Sequence, residues 1–177
     1  MSNPLQFPSI AVVLSLSCGL GGCVDIVDDS AAETAVAEQG AIAHNEVKLR
    51  RIEASVLEEG GDEIYLTASQ SSGGGVNIIR PSGIPDYWRF DNPGKYYTNL
   101  DEHVGTIIPG SLLIIYLREQ DFGEHDKIGT IDFQLDHNGE PETFDTPTGH
   151  FVGMENGKFA VRFTNGARYK VWFEVGP

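Results

Sequence analysis

Between Val47 and Val175 the chain never holds a 3.6-residue apolar period for three turns. It runs instead in short bursts of alternating apolar and polar residues, each closed by a turn signal. A period of two puts alternate side chains on opposite faces of an extended segment, so each burst reads as a strand with one face to bury. "VKLRRIEASVL" sets Val47 and Leu49, then Ile52, Ala54 and Val56, on one face, and the phase slip at Arg50-Arg51 predicts a β-bulge. "DEIYLTAS" alternates Ile64, Leu66 and Ala68 against Tyr65, Thr67 and Ser69. "GVNIIRP", "YWRF", "TIDFQL" and "KFAVRF" follow the same pattern, and "SLLIIYL" (Ser111 to Leu117) reads as a central strand buried on both sides. In "RYKVWFEV", Tyr169, Val171, Phe173 and Val175 share a face, which leaves Trp172 on the other as a candidate surface aromatic. The expectation is an all-β fold: an antiparallel β-sandwich of about eight strands, with Trp88 and Phe90 in its core.

At 177 residues, 40% of them hydrophobic, the chain has the composition of one globular domain, not two. Formal charge is −14, from 26 acidic and 12 basic side chains, so phosphate backbones are repelled and nucleic acid is excluded as a partner. The charge is unevenly spread. Residues 1–22 contain no Asp, Glu, Lys or Arg, and "SIAVVLSLSCGLGGC" is an apolar run ending in small residues, as in a secretory signal. Leu20-Gly21-Gly22-Cys23 resembles the bacterial lipobox, which implies cleavage before Cys23 and acylation of that cysteine. Both cysteines, Cys18 and Cys23, lie in this region, leaving the rest without disulfide or thiolate chemistry. Residues 23–45, rich in Ala and acids and lacking any base or aromatic, read as a disordered acidic tether. As a flexible coil it would hold the domain, residues 46–177, roughly 25 Å from its anchor.

The connection "REQDFGEHDKIG" carries Glu119, Asp121, Glu124 and Asp126 between two strands, where a short hairpin would need one Asn-Gly or Asp-Gly. Apolar strand, acidic connection, then Asp126-Lys127-Ile128-Gly129 and another strand resembles the third top loop of a C2 domain. Asp62-Glu63-Ile64-Tyr65 stands where that family has its upstream Asp, although Glu119 replaces one aspartate and the loop near Glu58 is short. The resemblance spans roughly Val47 to Val175. It implies a Ca2+ site built from Asp62, Glu63, Glu119, Asp121 and Asp126, with Glu58 as a further candidate. The chemistry is consistent, because a hard divalent cation takes six to eight oxygen ligands and relieves the repulsion among clustered carboxylates.

Little else carries chemistry. His103, His125, His137 and His150 lack zinc-motif spacing, and neither a Gly-x-Ser-x-Gly elbow nor a His-Glu-x-x-His occurs. Tyr96 and Tyr97, beside the turn "DNPG", are candidates for partner contact through stacking. The expected role is an exported, lipid-anchored, non-enzymatic module of the outer membrane or cell surface. It would bind calcium through acidic loops and thereby meet a protein, lipid headgroup or polysaccharide. A calcium-independent sandwich contacting protein or carbohydrate is the alternative, and a small secreted hydrolase the third reading.

Overall fold

A computed structural model describes residues 45–58, 61–82, 85–120 and 125–176, which form twelve strands and no helix. In chain order these are β1 (Asn45–Val56), β2 (Asp62–Gln70), β3 (Asn77–Ile79), β4 (Trp88–Phe90), β5 (Tyr96–Tyr97) and β6 (Glu102–Ile107). They continue with β7 (Leu113–Gln120), β8 (His125–Leu135), β9 (Pro141–Phe144), β10 (Gly149–Glu155), β11 (Lys158–Asn165) and β12 (Ala167–Gly176). The leader, Cys23 and the tether up to residue 44 lie outside the described residues.

Two antiparallel sheets result. The first runs β10-β11-β12-β1-β5, with β6 also pairing β1; the second runs β3-β2-β7-β8-β9, with β4 also pairing β2. The sandwich expected from sequence is therefore present, with more strands than expected. β5, β6, β9 and β10 are additional because their apolar alternation is weak: β9 is "PETF", and β10 leaves Phe151, Val152 and Met154 exposed. Such segments are held by ladder hydrogen bonds to a neighbour, which no local pattern reports.

The inner faces meet in one core. Leu49, Ile52 and Ala54 of β1 and Tyr169, Val171 and Phe173 of β12 oppose Ile64, Leu66, Ile115, Leu117, Ile131 and Phe133 of the second sheet, all essentially buried. Ring pairs cross between sheets. Phe133 meets Phe173 edge-on at 5.6 Å, and Phe90 meets Tyr169 at 5.2 Å. Such pairs add about 0.5–1.5 kcal/mol beyond their buried area. Trp88 and Phe90 are core residues, as expected.

The phase slip at Arg50-Arg51 is a register break between Leu49 and Arg51 against β12. It turns two successive arginines to the outer face while Leu49 and Ile52 stay inside. β7 is central but is not buried on both sides. Leu113, Ile115 and Leu117 face the core, whereas Ile114, Tyr116 and Arg118 are half-covered on the outer face. Among the described residues no second layer lies there; Arg118 and Lys127 instead cover the Tyr116 ring at 5.2 and 5.0 Å.

Gly129, the glycine of the Ile-Gly pair, has a steric reason. A Cβ there would lie 2.6 Å from a Phe163 ring carbon and 2.7 Å from the Thr148 carbonyl oxygen. Only a residue without a side chain lets β8 approach β11 so closely.

Candidate functional site

The acidic end is built by register. Ile64 of β2 is paired with Glu119 of β7, and Glu119 in turn with Asp126 of β8. Asp62 precedes Ile64 by two residues and so shares its inward face. Asp62, Glu119 and Asp126 therefore gather at one end of the second sheet. Their environments differ sharply. Asp62 is fully buried and Glu119 is 3% exposed, while Asp126 is open to solvent.

Asp62 is engaged from within the protein. Its Oδ2 accepts a hydrogen bond from the Tyr169 hydroxyl and another from the Glu58 backbone N–H at 3.2 Å. Burial, reinforced by the bond to Asp62 and by the negative charge of Asp62, Glu119 and Glu58, pushes the Tyr169 phenol far above its ordinary value. Glu58 belongs to the same end, its carboxylate lying where a Cβ on Gly166 would be. Glu63 does not. It points to the opposite face of β2, across from Arg89, where its hydrogen bond with Tyr87 raises that phenol's pKa. Asp121 lies outside the described residues. Among the described residues no three His, Cys, Asp or Glu side chains stand where they could hold a metal.

A second constellation lies on the outer face of the first sheet. Trp172 faces outward, as its phase predicts, yet is only 6% exposed because cations cover it. The Arg51 guanidinium sits 4.5 Å from its ring centroid and the Lys170 ammonium 4.8 Å. The indole N–H donates to Glu155 at 2.8 Å, and Lys170 donates to the other oxygen of Glu155 at 2.6 Å. These two bonds, Lys170 first, hold the Glu155 carboxyl below its ordinary pKa. Arg51 also lies 5.2 Å from the ring of Tyr96, which is 58% exposed. Tyr97 has a structural post: its hydroxyl donates to the Arg89 carbonyl at 2.8 Å and its ring meets Phe90 edge-on at 5.2 Å.

Around this stack runs a groove of about 470 Å³, lined among others by Arg50, Arg51, Asn99, Glu155, Lys158 and Trp172. Its walls are the β5–β6 connection and the β10–β11 hairpin. Asn99 and Asn156, the two non-glycine residues with positive φ (58° and 52°) among those described, both line it. Asn156-Gly157 is the hairpin turn, a pair suited to left-handed backbone. Arg50 is tied to Glu174 at 2.9 Å and to Asp101, and Arg51 to Glu53. Arg51 Nε, however, is buried with no hydrogen-bond partner among the described residues. The sequence signals for this groove are the bulge and the out-of-phase tryptophan; the contributions of Asn99, Glu155 and Lys158 come from loops that only the fold brings together.

Among the described residues, His103, His137 and His150 form no catalytic set. His103 bonds Glu46 at 2.8 Å, His150 lies 3.4 Å from Asp145, and His137 is near Asp136. No protein-family model matches the chain, and no curated protein matches it.

Proposed function

We propose that the chain is a non-enzymatic binding module that holds a protein segment bearing an acidic side chain in the groove beside Tyr96 and Trp172. The observation carrying this reading is the buried, unpartnered Arg51 Nε between two aromatic rings. A desolvated donor left unpaired costs about 1–3 kcal/mol, and an incoming carboxylate offsets that cost. Arg, Trp and Tyr are also the residues that dominate protein interfaces, where a few buried anchors supply most of the affinity. On a chain of charge −14, Arg50, Arg51, Lys158 and Lys170 here balance Glu53, Asp101, Glu155 and Glu174, so an acidic segment meets a locally neutral patch in place of the prevailing negative surface. The module is placed at the cell envelope by acylation of Cys23, which mass spectrometry of the mature N-terminus reads directly.

The test is a photo-crosslinking residue at position 96 in cells expressing the full chain, with exposed position 140 as control. One discrete adduct should form from position 96 alone. R51A and K158A together should weaken binding of the partner so identified by about tenfold or more. Equal crosslinking from both positions, or full binding by the double variant, removes the groove from the reading.

A second reading is favoured by the pairing of Glu119 with Asp126. Like charges directly opposite one another across a ladder repel, and a divalent cation relieves them. This C2-like reading relies on Asp121 and Asp126 at the rim, since Asp62 and Glu119 are buried and engaged within the protein and Glu63 faces away. Calcium at about 100 times its dissociation constant would add about 2.7 kcal/mol of stability. Thermal melts of the full chain with calcium and with chelator should then differ, and D121N with D126N should erase the difference. Identical melts at millimolar calcium would end this second reading.

A further inference from the structure

On the outer face of the second sheet, a recess of about 440 Å³ opens between β7, β8 and the loop Thr146-Pro147-Thr148. That volume is within the ~300–1,000 Å³ range of small-molecule sites. Two polar atoms in its lining have no hydrogen-bond partner among the described residues: Thr130 Oγ1 and Asp132 Oδ1, both themselves buried. Thr130 is 7% exposed, its backbone already spent on the loop, with N–H to Thr148 Oγ1 at 3.3 Å and C=O from Thr146 Oγ1 at 2.6 Å. Asp132 is flanked across the ladder by Ile114 on one side and Phe144 on the other, so its carboxylate sits in an apolar frame. Burial raises its pKa, and Lys127 only partly opposes this.

The mixture of groups selects the ligand. A carboxylate in the recess disfavours an anion, and the Lys127 ammonium beside it disfavours a metal cation. What remains is a neutral ligand carrying donors and acceptors on one edge and C–H surface on the other. Hydroxyls would donate to Asp132, exchange with Thr130 and accept from Lys127, while Ile114 and Pro147 meet the apolar edge. Polar atoms held unsatisfied inside a folded sheet cost stability, and their persistence together in one concavity is the mark of a site waiting for partners. We propose that this recess binds a neutral saccharide unit through vicinal hydroxyls, with Asp132 as the principal acceptor and Thr130 as the second polar contact. The inference is independent of the groove reading, being carried by different residues on the other sheet.

The test is a titration of the full chain with methyl glycosides of glucose, mannose, galactose and N-acetylglucosamine, followed by amide chemical shifts. At least one glycoside should saturably move the resonances of Lys127, Thr130 and Asp132. D132N and T130V should each weaken that binding, D132N by about tenfold or more, the cost of losing a charged hydrogen-bond acceptor. D132N should at the same time raise the denaturant midpoint at neutral pH, because it removes a carboxylate that burial disfavours. Loss of binding therefore cannot be ascribed to unfolding. If no glycoside moves these resonances, or if D132N and T130V bind as the parent chain does, the proposal is overturned.

Discussion

Alanine at Gly149 should lower the melting temperature by on the order of 10 °C, a loss of more than about 3 kcal/mol. The reason is a single distance. A Cβ at this position would lie 1.9 Å from the Thr130 carbonyl oxygen and 2.8 Å from its carbon, whereas carbon and oxygen normally stay about 3.3 Å apart. The obstructing atoms are backbone in the middle of β8, so no side chain can swing aside to make room. Either β10 must lift from the second sheet or β8 must bend, and both break ladder hydrogen bonds. The anchors beside Gly149 would be lost with it: its N–H bonds Thr146 Oγ1 at 3.0 Å and its C=O accepts from the Thr146 N–H at 2.8 Å. Two controls grade the effect. Gly75 has open space around its Cβ direction and an ordinary backbone, so Gly75→Ala should be neutral. Gly139 also has space but a φ of +82°, so Gly139→Ala should cost about 1–2 kcal/mol through backbone strain alone. Differential scanning calorimetry of the three variants separates the terms. A Gly149→Ala chain melting with Gly75→Ala would contradict the close approach of β10 to β8.

Removing the Tyr169 hydroxyl should cost about 1.5–3 kcal/mol at neutral pH, since Tyr169→Phe takes from the fully buried Asp62 the hydrogen bond that the phenol donates. The pH dependence gives this loss a signature that mere repacking would not. Tyr169 titrates from an ordinary value of 10.0 in the unfolded chain and far higher in the folded one. Below pH 10 the phenol is protonated in both states and its contribution is whole. Above it, the unfolded chain sheds the proton first, binds fewer protons than the folded state, and stability falls by about 1.4 kcal/mol per pH unit. Phenylalanine cannot lose that proton. The gap between parent and Tyr169→Phe should therefore narrow from about pH 10 upward, as read by urea denaturation across that range. A gap that stays constant into alkali, or is absent at neutral pH, would show that the phenol and Asp62 are not joined as described.

These two experiments probe residues of one cross-strand row, Gly149, Phe163 and Tyr169, yet bear on different proposals. Gly149 holds the Thr146–Thr148 loop against β8, so its alanine variant should also distort the proposed saccharide recess. Tyr169 holds Asp62 inside the protein, and that engagement is why the acidic end has fewer free ligands than the acidic residues of the sequence suggest. An aspartate that is both desolvated and twice hydrogen-bonded has less to offer an ion than one at the rim, such as Asp126.

Much of the architecture was legible because it depends on local periodicity. The alternation in β2, β7, β8, β11 and β12 marks which side chains go inward, and the slip at Arg50-Arg51 marks the bulge that presents both arginines outward. Even the gathering of Asp62 and Asp126 follows once β2, β7 and β8 are neighbours. What local pattern could not report was how a residue is used after its face is known. Trp172 is outward by phase but covered by Lys170, two residues before it on β12, and by Arg51, which the neighbouring β1 sets directly across from it. Glu63, adjacent to Asp62, is excluded from the acidic end by the same two-residue period that places Asp62 within it. Asp132 looked like any other acid in an acidic chain; only its pairing between Ile114 and Phe144 makes it distinctive.

By itself, then, the amino-acid order determined an all-β chain with one inward face per strand, since a period of two admits no other way to bury those side chains. The tertiary structure alone decided which carboxylates are satisfied internally, which donors and acceptors are left buried without partners, and where two concavities open. Those outcomes depend on contacts between strands far apart in the chain, and a contact of that kind leaves no trace in the residues immediately around either partner.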